Sequence, residues 1–422
     1  MFLNIQEKLY KSSLSLGDRM GLDLPYFLKN GFWVTIRQVT TVVMGLLLST
    51  VFARLASKEI FGQYQFVLSI LSVVSILSVP GFNTSITRAV ARGYDGDYRK
   101  VVQVSFFWSL IGVPTLLAIG GYYYAIGNHS LGIALMVAAI FFPFIYAPNT
   151  WDSFLQGKSR FDVSAKYSSI QVIINTIATI MVLLFSRDSL VAIVTWYLLS
   201  YTFFNGYYYW RSLRYVENEK MDEGTVKYGW FLTKINILGM ISGNLDKLLV
   251  GLFMGPPSLA VYSIGILFTK QIQNLSKGFL WMSVPKQIRQ GNISRENYVR
   301  IFSVSMFLTV VFIISFQFVI PLLFTDKYAE SISLAILSIL FYPVFVVSVL
   351  YRNQSIFNKK ESILLKESII TPVIMVALTI FLLPRFGSYG LAFLFGFQSF
   401  VGLLVLYVLN KPTISFVFLR KR

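Results

Sequence analysis

About twelve separate apolar stretches divide this chain along its whole length. Each is close to the ~20 residues that a helix needs to cross a bilayer. Residues 39–52, 66–79, 105–125, 131–146, 170–185, 301–324, 331–350 and 389–409 are examples, and the short gaps between them carry most of the charge. In hydrocarbon a segment must satisfy its own backbone groups, so such stretches are helices. The fold class this predicts is an all-α polytopic membrane protein.

Composition removes most other classes. The chain is 55% hydrophobic and only 13% charged, against about 25% charged residues in a soluble domain. Its mean hydropathy is +0.64. No gap is long enough to hold a separate catalytic domain. There is no cysteine, hence no disulfide, thiol nucleophile or thiolate metal site. The single histidine, His129, lies in a short loop, so no histidine cluster can form. The first 30 residues lack the apolar core and cleavage site of a signal peptide, although residues 1–16 have moderate amphipathic character fit for an interfacial helix.

Charge sets the topology. Helices are expected at about 31–53, 62–80, 104–126, 131–155, 166–186, 189–210, 228–254, 258–284, 300–325, 331–351, 367–384 and 389–410. Both termini and every even-numbered gap carry three or four Lys or Arg each, whereas the odd-numbered gaps together carry only Arg54, Lys58, Arg187, Lys327 and Arg385. Basic residues stay in the cytoplasm, so both termini are expected there. Losing or adding one helix would destroy the alternation. The formal charge of +18 is then explained by basic loops facing an anionic leaflet and calls for no nucleic acid.

The gap 211–227 separates six helices from six, giving an N-terminal lobe over 1–218 and a C-terminal lobe over 219–422. A shift of 198 residues puts Gly31 on Gly229, Thr35 on Thr233, Gly45 on Gly243, Leu47 on Leu245, Tyr64 on Tyr262 and Ser85 on Ser283. Both halves start on the same side, so the repeat is parallel, about an axis along the membrane normal. Folds of this kind place the substrate between the halves.

Several segments resemble one known family. Residues 53–64, ARLASKEIFGQY, are similar to its ARxLxxxxFGxY signature, and 81–88, GFNTSITR, to its segment closing helix two. Residues 155–161, LQGKSRF, resemble its LQGxxRF after helix four. Residues 245–251, LDKLLVG, with 260–262, AVY, resemble its turn between helices seven and eight, and 323–328, LFTDKY, its LFxxxY after helix nine. The family is the Wzx-type flippases of O-antigen and other lipid-linked oligosaccharides, in the superfamily that also holds multidrug exporters and the lipid II flippase. The resemblance implies about twelve helices in two lobes, V-shaped around a central cavity, working by alternating access. It further implies an undecaprenyl-pyrophosphate-linked glycan as cargo, a place in the bacterial inner membrane, action as a monomer, and association with a polysaccharide polymerase.

Charges inside helices are costly and mark function or a partner. The interior basic residues are Arg37, Lys234, Lys247, Lys270 and Lys277, and the interior acids are Asp152 and Asp246. The shift places Lys234 beside Arg37, so the two are expected at similar depth on opposite lobes, either facing the cavity or snorkelling to the cytoplasmic edge. Lys270 and Lys277 share a helix face with Gln273 and Asn274, either as a cavity stripe or as interhelical hydrogen bonds. Arg37, Lys234, Lys270, Lys277, Gln273 and Asn274 are therefore the candidate substrate-binding residues. Asp152 and Asp246 are candidates for a coupling H+ or Na+. Asp246 and Lys247 point about 100° apart, so one of them is expected to pair with another helix. Most of the many aromatics fit interfacial belts.

A row of basic groups suits phosphate. The expected function is therefore translocation of a polyprenyl-pyrophosphate-linked oligosaccharide to the outer leaflet. The alternative is a multidrug or organic-ion exporter of the same fold, whose cationic cargo a positive cavity would repel. Enzymatic activity is not expected, because no carboxylate pair, metal cluster or long external loop is present. No cofactor is expected beyond a coupling ion.

Overall fold

In the N-terminal half, three short turns at the end of the bundle opposite the basic loops supply the side-chain cap of the helix that follows. Ser57, Asn128 and Ser189 accept hydrogen bonds from the backbone N–H of Ile60, Leu131 and Ala192 at 3.2, 3.2 and 3.3 Å, as N-cap side chains do. The computed structural model describes residues 24–282, 295–357 and 360–410, and no strand occurs among them. Residues 1–16, read above as an interfacial helix, lie outside the described residues, as do both termini.

The N-terminal half comprises α1 (Leu24–Leu55), α2 (Lys58–Val74), α3 (Gly81–Ala91), α4 (Asp97–Ser109), α5 (Gly112–Ala125), α6 (His129–Tyr146), α7 (Trp151–Gly157), α8 (Phe161–Ser186) and α9 (Leu190–Ser212). The C-terminal half comprises α10 (Gly224–Phe253), α11 (Gly255–Met282), α12 (Arg295–Phe324), α13 (Glu330–Ile339), α14 (Tyr342–Phe357) and α15 (Glu361–Asn410). Nine helical stretches among the described residues are long and apolar enough to span a membrane. The last, Ser362–Asn410, has 49 residues, more than twice what one crossing needs. It bends at Gly387, where φ is 55° and ψ −140°, a conformation open only to glycine. It is therefore two crossings. With α9 and α11, which are long enough but more polar, the chain has the twelve crossings that the charge alternation requires.

Helix ends differ from the sequence expectation mainly at the basic end. α3 carries Arg88, and α4 begins at Asp97, so helices continue past the bilayer into residues read as loop. Charge ends the span but does not end a helix, since Lys, Arg and Glu are good helix formers. Pro114 and Pro343 fall in the first turn of α5 and α14, where no backbone donor is lost.

The halves are built alike. α1 packs on α8, and α6 packs between α5 and α9; in the second half α10, α13 and α14 all pack on the long α15. The lobes meet along α2 and α3, which lie against α10 and α11. At the end opposite the basic loops a Cβ on Gly62 would fall 1.8 Å from the Pro256 carbonyl oxygen. Here Arg54 donates to the carbonyls of Leu322 and Leu323 at 2.6 and 3.0 Å, covering orphan acceptors at the end of α12. The Lys58 ammonium lies 5.5 Å from the Tyr328 ring centroid, and Phe61 meets that ring edge-on. This end of the cleft is shut. Nearer the basic end, the Gly81 amide donates to Thr233 Oγ1 at 3.0 Å, and Gly229 packs against Phe82 and Ser85.

The connection between the halves is held down. Asp95 and Asp97 are 1% and 0% exposed. Asp95 accepts the Glu217 amide at 2.8 Å and pairs with Lys158 at 2.6 Å. Asp97 accepts the Asp222 amide at 3.0 Å and the Thr225 hydroxyl at 2.7 Å. The Gly96 amide donates to the Lys220 carbonyl at 2.9 Å. Buried carboxylates are tolerated because each is met by donors.

Candidate functional site

A polar cavity of about 360 Å³ lies inside the C-terminal half. α11 supplies Lys270, Gln273, Asn274 and Lys277, placed on one wall by their spacing along the helix. α10 adds Ser242, Gly243 and Asp246, α14 adds Phe345, Ser348 and Arg352, and α15 adds Glu367, Thr371, Thr379 and Gln398. Three cations and two carboxylates face this space. Arg352 pairs with Glu367 at 3.4 Å. Asp246 accepts the Tyr262 hydroxyl at 2.7 Å, while its buried Oδ1 has no hydrogen-bond partner. Among the described residues Lys270 and Lys277 have no carboxylate within ion-pair reach; the Lys277 ammonium lies 5.7 Å from the Phe345 ring centroid. Two cations thus remain free for a ligand, and one buried carboxylate oxygen is without a partner among the described residues.

Arg37 and Lys234 are not among the residues lining this cavity, so the expected single constellation of Arg37, Lys234 and Lys270 is divided. Arg37 forms a two-pronged pair with Asp152, at 3.0 and 2.9 Å, and donates to Ser164 at 3.3 Å. Asp152 also accepts from Gln156 at 2.9 Å and from the Ser164 hydroxyl. Its oxygens are engaged, which leaves Asp246 as the acid with an open position. The physical reason is reach: Arg37 on α1 stands beside α7 and α8 of its own lobe, so its charge is met inside that lobe. Lys234 is exposed on α10. Lys247 donates to Gln65 of α2 at 3.1 Å across the lobe interface, while its neighbour Asp246 faces the C-terminal cavity.

Arg352 and Glu367 are absent from the sequence reading, which placed the former in a loop. The signal was in the chain. Later in each half the repeat continues with Phe141, Pro143, Lys166, Ser168 and Thr179 on Phe341, Pro343, Lys366, Ser368 and Thr379. On that register Asp152 falls on Arg352 and Tyr167 on Glu367. The C-terminal lobe therefore carries ionic groups where its counterpart carries an acid and a phenol.

The model of one family, described as polysaccharide biosynthesis protein, matches residues 27–285. The chain belongs to this family. Its fold is shared with solved members of a transporter superfamily. It resembles the lipid II flippase MurJ in an inward closed conformation, with 14% identity, TM-score 0.65 and coverage of 89% of this chain and 87% of that one. It also resembles an inward-facing multidrug resistance transporter of the MATE family, with 15% identity, TM-score 0.62 and coverage of 90% and 96%. A third similar structure is a transporter of the MOP superfamily from Pyrococcus furiosus, with a binding pocket of reversed polarity, at 15% identity, TM-score 0.60 and coverage of 92% and 95%. Curated protein sequences contain no match. The family and the shared fold make this chain a multi-pass membrane protein of transporter architecture. Its relatives in the family's fold are transporters and flippases rather than catalysts.

Proposed function

We propose that this protein is a flippase that moves a polyprenyl-pyrophosphate-linked oligosaccharide, an O-antigen unit or a similar repeat of a surface polysaccharide, from the cytoplasmic to the outer leaflet. One observation carries the proposal: a cavity within the C-terminal lobe presents Lys270 and Lys277, without counter-ions among the described residues, beside amide groups of Gln273 and Asn274. A free ammonium binds phosphate as a point charge, and amides bind hydroxyls and phosphate oxygens alike. A multidrug or organic-cation exporter would need an excess of carboxylates there, whereas here three cations face two carboxylates.

The remaining parts of the reading come from the charge pattern and from the family resemblance. The lobes, 1–218 and 219–422, rock about their interface to expose the cavity alternately to the two sides. The basic loops and both termini face the cytoplasm of a bacterial inner membrane. The protein works as a monomer, without cofactor or catalysis, and hands its cargo to a polysaccharide polymerase. Asp246, with one oxygen open, is the position for a coupling H+ or Na+.

The test is flipping of the host's lipid-linked glycan in proteoliposomes. Lys270→Ala is expected to slow it at least about tenfold at matched protein level, which corresponds to about 1.4 kcal/mol, and Lys270→Arg to retain most activity. Equal, wild-type rates for both variants refute the assignment of Lys270 to the substrate.

A further inference from the structure

The N-terminal lobe holds a cavity of its own, uncharged and lined by both polar and apolar side chains. A chamber of about 300 Å³ opens between α2, α6 and α9, and one of about 190 Å³ lies beside it toward α3 and α4. They share Ser75, Tyr146 and Asn149, so they adjoin. Among the described residues no Asp, Glu, Lys, Arg or His lines either chamber. Tyr146 and Tyr201 form part of the wall, with Ser72 and Asn83. Among the described residues the side-chain amides of Asn83 and Asn149 have no hydrogen-bond partner, and Asn149 is exposed at the shared boundary.

We infer that this cavity is a subsite for an uncharged sugar of the cargo, and that it sets which glycan the protein accepts. The inference rests on the flippase reading above and adds to it a division of labour between lobes. A sugar ring offers hydroxyls that donate and accept, and amides and phenols do the same. Its less polar faces match the faces of tyrosine rings, which combine an apolar body with a polar handle. A hydrocarbon chain here would bury the free carboxamides without partners, at the cost of their desolvation. A phosphate would find no cation, and an organic cation no carboxylate. The volumes lie at the low end of the ~300–1,000 Å³ of small-ligand pockets, which suits a sugar or two rather than a whole lipid-linked oligosaccharide. Sites built to pair with hydroxyls reject analogues that lack them, so this lobe discriminates while the cationic cavity holds the common diphosphate.

The experiment compares two probes on the full-length protein in nanodiscs: the sugar-free polyprenyl diphosphate, and the same carrier bearing the oligosaccharide extracted from the host. Asn149→Ala and Tyr201→Phe are measured beside wild type, with thermal stability recorded for each. The expected result is an affinity for the glycan-bearing carrier about tenfold weaker in each variant, with affinity for the sugar-free carrier within about twofold of wild type. Equal losses for both carriers, or no loss for either, overturn the subsite. Wild-type protein that binds neither carrier overturns the flippase reading instead, and the subsite with it.

Discussion

The pair between Arg37 and Asp152 separates a structural from a substrate-binding arginine, and its energetics can be worked from the geometry. Arg37→Met leaves the Asp152 carboxylate, whose side chain is 17% exposed, with only the neutral donors of Gln156 and Ser164. A hydrogen bond to a charged group is worth ~1.5–3 kcal/mol, and breaking a fully buried pair costs ~3–5 kcal/mol. Arg37 keeps 34% of its side chain exposed, which places the cost near the lower range, about 2 kcal/mol. Asp152→Asn is expected to cost about the same, because it leaves the guanidinium without its anion. If the two residues serve only each other, the double variant also loses about 2 kcal/mol rather than about 4, a coupling of about 2 kcal/mol. Denaturant unfolding of the four proteins in identical micelles measures this cycle. Flipping by the double variant at close to the wild-type rate is the accompanying expectation. Additive losses refute the pairing as an isolated unit, and a stable double variant that no longer transports returns Arg37 to the substrate.

Three further outcomes are expected. Asp97→Ala removes the acceptor of the Asp222 amide and the Thr225 hydroxyl, so limited trypsinolysis should cut after Lys220 in the variant well before it cuts wild type; equal rates refute the clamp. Gly62→Leu forces backbone apart at Pro256 and should make a cysteine at Tyr328→Cys react faster with an impermeant thiol reagent, in a chain that has no cysteine background; an unchanged rate refutes the seam as the closed gate. Membrane potential should drive the net direction of transport, because each charge moved is worth ~2.3 kcal/mol per 100 mV; equal rates at zero and at about −100 mV, without H+ or Na+ dependence, leave passive equilibration only.

The span count and the polar stripe from Lys270 to Lys277 were legible because they depend on one-dimensional features: apolar length, charge alternation and helical spacing. The partners of Arg37 and Asp246 were not. Arg37 could be placed in depth but not in azimuth, and the rotation of α1 that turns it toward Asp152 is set by packing against α8. Arg352 shows the opposite case. Its place in α14 is readable from the Phe141–Pro143 and Phe341–Pro343 match, yet a positive residue near a span end carries the same signal as loop charge. Asp95 and Asp97 fall in a gap between expected helices, and burial by a backbone strap that comes 122 or more residues later in the chain leaves no local periodic trace. The uncharged N-terminal cavity left none either, since serine, tyrosine and asparagine are common along membrane helices and only their convergence gives them meaning.

The fastening of the strap constrains how the machine can move. α10 is tied at its start to the N-terminal lobe through Thr225 and Thr233, and toward its far end through Lys247 and Gln65. In the alternating access proposed above, opening of the shut end breaks the second tie, while the first, nearer the basic end, is free to hold. A helix clamped at one end and freed at the other behaves as a leaf spring, flexing between Thr233 and Lys247, where Gly239 and Gly243 have no neighbour within 4 Å of a built Cβ. Elastic energy stored in that bend when the far end opens would pull the lobes shut again once the cargo has left. On this reasoning, stiffening α10 with Gly239→Ala and Gly243→Ala slows the opening of the far end, and unchanged opening kinetics in the double variant place the flexure elsewhere.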